Sequence, residues 1–128
     1  MKTGSMVTSF INAYFRETRT PVIGISASKG GSAIREWQPG SPFLEDAFLR
    51  LQTAGRYLTD NHIPIRHRFV LWCQGETDGD LGTVPSVYEK DFLRMLEALL
   101  SEGIEHQFLV RIGYYNAAAT PGSPAPDY

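Results

Sequence analysis

The residues best suited to chemistry lie in two polar segments, each directly following an apolar run. One is Gln74-Gly75-Glu76-Thr77-Asp78-Gly79-Asp80, after Phe69–Cys73. The other is Ser28-Lys29-Gly30-Gly31-Ser32-Ala33-Ile34-Arg35-Glu36-Trp37, after Pro21–Ser26. Gly30-Gly31 has no side chains to keep a ligand away from the backbone, so its N–H groups can reach a developing negative charge. The side-chain amide of Gln74 offers N–H donors of the same kind. Glu76 and Asp78 add two nearby carboxylates. The combined chemistry is stabilisation of an oxyanion beside acceptors for hydroxyl groups. Each piece also has a plain structural reading: a tight glycine turn, a polar residue ending a strand, and a solvated acidic loop.

Other chemistries fit less well. Glu76, Asp78 and Asp80 could offer oxygens to a divalent cation, but their spacing lacks the EF-hand pattern. Lys29-Gly30-Gly31 is neither Gly-x-x-x-x-Gly-Lys nor Gly-x-Gly-x-x-Gly, so phosphate binding has little support. His62, His67 and His106 lie outside both segments without metal-ligand spacing. No metal and no cofactor is expected.

Three β-rich runs must carry these segments: Pro21–Ser26, Phe69–Cys73 and Phe108–Ile112. The first two are nearly continuous in hydrophobicity, which predicts strands buried on both faces. Helical stripes lie between them. Met6, Phe10, Ala13 and Tyr14 form one, and Leu44, Ala47, Phe48, Leu51, Ala54 and Leu58 a second. Ser41 suits the cap of that second helix and Pro42 its first position. Tyr88, Phe92, Met95, Leu96 and Leu99 form a third, opened by a capping box at Ser86-Val87-Tyr88-Glu89 and ended by Gly103. The order α-β-α-β-α-β predicts an α/β fold with a parallel sheet. Both polar segments then follow the carboxyl ends of strands, where sites form in such sheets, and open on one rim. Residues 1–116 read as one domain. The stretch Ala117–Tyr128, rich in proline and alanine, reads as a loop or tail.

Composition narrows the partners. The chain has 128 residues, 42% hydrophobic and 20% charged, with net charge −2. Interleaved charges of both signs give no argument for nucleic acid or an anionic membrane. No run approaches the roughly 20 apolar residues of a spanning helix. The start, Met1-Lys2-Thr3-Gly4-Ser5-Met6, lacks the apolar core of a signal peptide, so a cytoplasmic location is expected. The single cysteine, Cys73, excludes an internal disulfide and is expected to be a buried, inert thiol.

Together the two segments carry a resemblance. Gly30-Gly31-Ser32-Ala33-Ile34-Arg35-Glu36-Trp37 resembles the second block of sialate O-acetylesterase-like proteins, carbohydrate esterase family 6 of the SGNH hydrolases. Trp72-Cys73-Gln74-Gly75-Glu76-Thr77-Asp78 resembles their third block, Trp-x-Gln-Gly-Glu-Ser/Thr-Asp. The likeness spans roughly Met6 to Gly113. It implies a flavodoxin-like three-layer α/β/α sandwich and hydrolysis of O-acetyl esters on sugars through a serine activated by a histidine. It assigns oxyanion binding to the backbone N–H of Gly30 or Gly31 and to the Gln74 side chain. Glu76 becomes an acceptor for the loop, for Arg35 or for substrate hydroxyls, with Asp78 in support. Trp37 is either a wall for the sugar or a core anchor.

Two parts of the family pattern have no counterpart. The first block, Gly-Asp-Ser or Gly-Gln-Ser, supplies the nucleophile. Ser5 has the wrong context, and Ser32 occupies a second-block position. The last block, Asp-x-x-His, is not matched by Asp60-Asn61-His62. The chain therefore reads as the middle of such an enzyme, inactive alone. A missing first strand would leave an exposed sheet edge, covered by a second copy or by a complementing segment. The competing reading is a non-catalytic carbohydrate-binding or structural module. A third is a metal-dependent enzyme using Glu76 and Asp78.

Overall fold

The computed structural model describes residues 6–112; the proline- and alanine-rich stretch 117–128 lies outside them. Four α-helices form: α1 (Met6–Thr18), α2 (Pro42–Asp60), α3 (Glu76–Leu81) and α4 (Pro85–Ser101). A 3-10 turn spans Ile34–Trp37, and two strands follow α2 and α4, β1 (Phe69–Trp72) and β2 (His106–Leu109). The strands pair in parallel, with Phe69 opposite His106 and Trp72 opposite Leu109. Backbone bonds from Glu105 N to Arg68 O and from Val110 N to Trp72 O extend the ladder at each end. The α/β class thus holds, as a two-stranded parallel sheet with helices.

The core gathers on one side of β1. Ile34 and Trp37 of the 3-10 turn pack with Leu44 and Phe48 of α2 and with Tyr88, Met95 and Leu99 of α4. Val70 and Trp72 of β1 close this cluster. On the other face, Phe69 meets Phe10 and Tyr14 of α1 and Phe108 of β2 through ring contacts. An apolar run with helices against both faces has no polar alternation, which is why Phe69–Trp72 reads as continuous.

Several expectations need correction. Pro21–Ser26 forms no strand: it pairs with neither β1 nor β2, and Ile23 and Ile25 are exposed. Apolar content does not make a strand without a ladder partner. Its Gly24 instead abuts Val7 and Ile11 of α1, where a Cβ would come within 2.6 and 2.8 Å of their side-chain carbons. The third strand starts two residues early, at His106. The polar segment after β1 is not a loop but the short helix α3, entered through Gly75 at φ 143° and closed by Gly82 in the left-handed conformation.

Helix ends were partly legible. Pro42 opens α2 after Ser41, as expected, but the Ser41 hydroxyl makes no capping bond. The capping box of Ser86–Glu89 does not form, because Pro85 starts α4 and Val84 is its cap. Proline's fixed φ suits the first helical position and moves the start ahead of Ser86. Gly103, at φ +88°, ends α4. Ile104 N bonds Leu99 O and Gly103 N bonds Leu100 O, the paired closure of a Schellman end.

Candidate active site

The two polar segments do meet. Asp78, only 1% exposed, sits in α3 and holds them together. Its Oδ2 accepts from the backbone N–H of Ile34 (2.7 Å) and from Gln74 Nε2 (2.6 Å). Its Oδ1 accepts from the Thr83 hydroxyl (2.8 Å). A carboxylate this buried requires such donors, and these come from three separate stretches of chain. With both oxygens engaged by chain donors, Asp78 serves as a framework group. Among the described residues, no cluster of His, Cys, Asp and Glu is placed to hold a metal ion.

Gln74 is the second tie. Its Nε2 donates to Ser32 O (2.8 Å) as well as to Asp78. Its Oε1 accepts from the Tyr88 hydroxyl (2.8 Å). These partners fix the orientation of the amide, since only the nitrogen can face a carbonyl and a carboxylate. Both amide hydrogens are therefore engaged.

Ser32 is buried and completes the frame. Its hydroxyl donates to Lys29 O (2.8 Å) and accepts from Trp37 Nε1 (2.9 Å). Trp37 is itself 5% exposed and lies edge-on to Trp72, with ring centroids 5.4 Å apart. Of its two expected roles, Trp37 takes the core anchor. Glu36 accepts from Ala33 N (2.8 Å) and stabilises the start of the 3-10 turn. Arg35 is exposed, and no ion pair joins it to Glu76 among the described residues.

Beside this frame lies an open cleft of about 380 Å³. Ser28, Lys29, Gly30, Gly31 and Ser32 form one wall; Cys73, Gln74, Glu76 and Thr77 form the other. A Cβ added at Gly30 or Gly31 would meet nothing within 4 Å, and Gly31 holds φ +74°. Among the described residues neither glycine N–H donates a hydrogen bond, so both remain available to a ligand. Glu76 is exposed on the opposite wall. The expectation of a buried Cys73 is overturned: Cys73 is exposed. It ends β1 where the chain turns away from the core. Partial desolvation, and then the Glu76 carboxylate, push its thiol above the ordinary range.

The histidines stand elsewhere. His67 Nδ1 pairs with Glu105 Oε2 (3.0 Å) next to the start of β2. That hydrogen bond is the main cause holding the Glu105 carboxyl below its ordinary value. None of the three histidines lines the cleft.

A family model described as carbohydrate esterase, sialic acid-specific acetylesterase, matches residues 2–116. The chain belongs to this acetylesterase family. Neither the curated proteins nor the solved structures yielded a match. The geometry also gives sense to residues that sequence reasoning passed over. Tyr88 read only as part of an apolar stripe, though a buried phenol needs a polar partner and here finds Gln74. Thr83 carried no signal at all. No helix among the described residues is long and apolar enough to cross a membrane.

Proposed function

We propose that the cleft is the oxyanion side of a serine acyl-transfer site that removes acetyl groups from sugars. The observation carrying this reading is the convergence of the two unengaged glycine N–H groups with Gln74 and Glu76 on one open cleft. The acetyl carbonyl would lie against Gly30 or Gly31, whose N–H meets the negative oxygen of the tetrahedral intermediate. Glu76, exposed on the facing wall, accepts hydrogen bonds from sugar hydroxyls. For Gln74 to act as a second donor, its Nε2 must exchange the bond to Ser32 O for one to the oxyanion. The bond to Asp78 then keeps the amide aimed.

The nucleophile and base come from a segment other than the described residues. Ser32 has its proton committed to Lys29 O, Ser28 Oγ lies 3.2 Å from Ser26 Oγ, and His67 is engaged by Glu105. The proposed complete architecture is an SGNH-type α/β/α sandwich, of which residues 1–116 form part. One observation favours the alternative of a non-catalytic sugar-binding module: both hydrogens of the Gln74 amide are already bonded.

The test is binding, followed by NMR, of an O-acetylated sugar and of its deacetylated form. The acetylated sugar should bind more tightly, and Glu76→Gln should weaken both. Equal affinity for the two forms would remove the acetyl site. The isolated chain should turn over acetyl esters negligibly; turnover abolished by Ser28→Ala would show that it contains its own nucleophile.

A further inference from the structure

The proposed function leaves the outer edge of β2 unused. Among the described residues β2 pairs with β1 alone. Val110 N bonds Trp72 O, so the backbone of Val110 faces β1. Alternation along a strand then turns the N–H and C=O groups of Gln107 and Leu109 to the open side. Phe108, Leu109 and Val110 are all exposed. An uncovered edge with apolar side chains is a template for another strand.

We infer that β2 pairs antiparallel with β2 of a second copy of this chain, about a twofold axis at Phe108. Glu105 and Arg111 lie three residues to either side of Phe108, and both are exposed. An axis at Phe108 therefore sets each Glu105 opposite the second copy's Arg111. It also sets Gln107 opposite Leu109, and both turn their backbone groups outward, as an antiparallel ladder requires. The two Phe108 side chains meet at the non-hydrogen-bonded position, where cross-strand neighbours approach most closely. Shifting the axis to Gln107 or Leu109 removes both charge matches. A parallel arrangement in register would set Glu105 beside Glu105 and Arg111 beside Arg111, and like charges oppose pairing.

Each exposed ion pair contributes at most about 1 kcal/mol. The charges thus fix orientation and register, while burial of Phe108, Leu109 and Val110 supplies most of the attraction. Glu105 already accepts from His67 Nδ1 at 3.0 Å, but a carboxylate has room for further donors. Pairing makes one continuous four-stranded sheet in the order β1-β2-β2-β1. The cleft of each copy follows the carboxyl end of its own β1, so the two clefts lie at opposite ends of this sheet.

Sedimentation equilibrium of the full chain tests the pairing and should show a monomer–dimer equilibrium. Glu105→Arg and Arg111→Glu should each weaken it about three- to tenfold. The double reversal should restore it. An equimolar mixture of the two single variants should also restore it, because their charges match only across copies. In a Cys73→Ser background, Phe108→Cys should give a disulfide-linked dimer with oxidised glutathione, whereas Val87→Cys, exposed on α4, should not. All these positions are exposed, so the variants should fold. A wild-type chain that stays monomeric would overturn the pairing. So would a dimer indifferent to both single reversals, a double reversal no better than the singles, or failure of Phe108→Cys to cross-link. None of these outcomes bears on the acetylesterase reading.

Discussion

At the scale of single residues, Asp78 matters most. Three donors depend on its two oxygens, and two of them, Ile34 N and Gln74 Nε2, belong to the segments that frame the cleft. Asp78→Ala leaves those donors without their acceptor and should cost about 3 kcal/mol or more, measured by denaturant unfolding. Tyr88→Phe removes the hydroxyl that lies against Gln74 Oε1 and Gln74 O and accepts from Trp72 Nε1, and should cost about 1–2 kcal/mol. Cys73 permits a test by titration. Its thiol is raised by partial desolvation and by Glu76, so less thiolate is present near neutrality than for a free cysteine. Alkylation by iodoacetamide at mildly alkaline pH should therefore be slower than that of a model thiol. Glu76→Gln removes the second cause and should shift the rate profile to lower pH; an unchanged profile would show that Glu76 does not act on the thiol.

At the scale of elements, the glycines of the first polar segment separate by backbone conformation. Gly31 holds φ +74°, whereas Gly30 needs no such region. Neither has a neighbour that a Cβ would strike. Gly31→Ala should therefore lose about 1–2 kcal/mol of stability through the left-handed backbone alone, and Gly30→Ala should change stability by only a few tenths. Thermal unfolding of the two variants makes the comparison. Close approach of a ligand is a reason for glycine at both positions; the backbone adds a second reason at Gly31 only. The short helix α3 carries a similar lesson. Glu76-Thr77-Asp78-Gly79-Asp80-Leu81 has turn-forming residues and weak helical preference. It winds because Asp78 is anchored from three directions.

For the whole molecule, the described residues leave much apolar surface uncovered. Leu109 is 63% exposed and Ile23 58%, with Phe108, Val110 and Ile25 also exposed. Apolar patches of this kind promote association. We expect concentration-dependent self-association in sedimentation experiments, reduced by Leu109→Lys. Because Leu109 buries little, that substitution should leave the unfolding midpoint nearly unchanged. A monomer at all concentrations would show that this surface does not drive association.

The sequence by itself determined the α/β class, the three long helices and the family to which the chain belongs. Those features rest on local periodicity and on motifs contiguous in the chain, such as Gln74-Gly75-Glu76. Tertiary structure alone decided which polar residues face the cleft. Trp37 and Asp78 turned inward because their polar atoms found Ser32, Ile34, Gln74 and Thr83. Cys73 turned outward at the end of β1. It also decided that Pro21–Ser26 stays unpaired, since a strand needs a partner that no local pattern can specify. Gln74 itself changed most: its position announced a donor, and the fold made that donor a tie between the two polar segments.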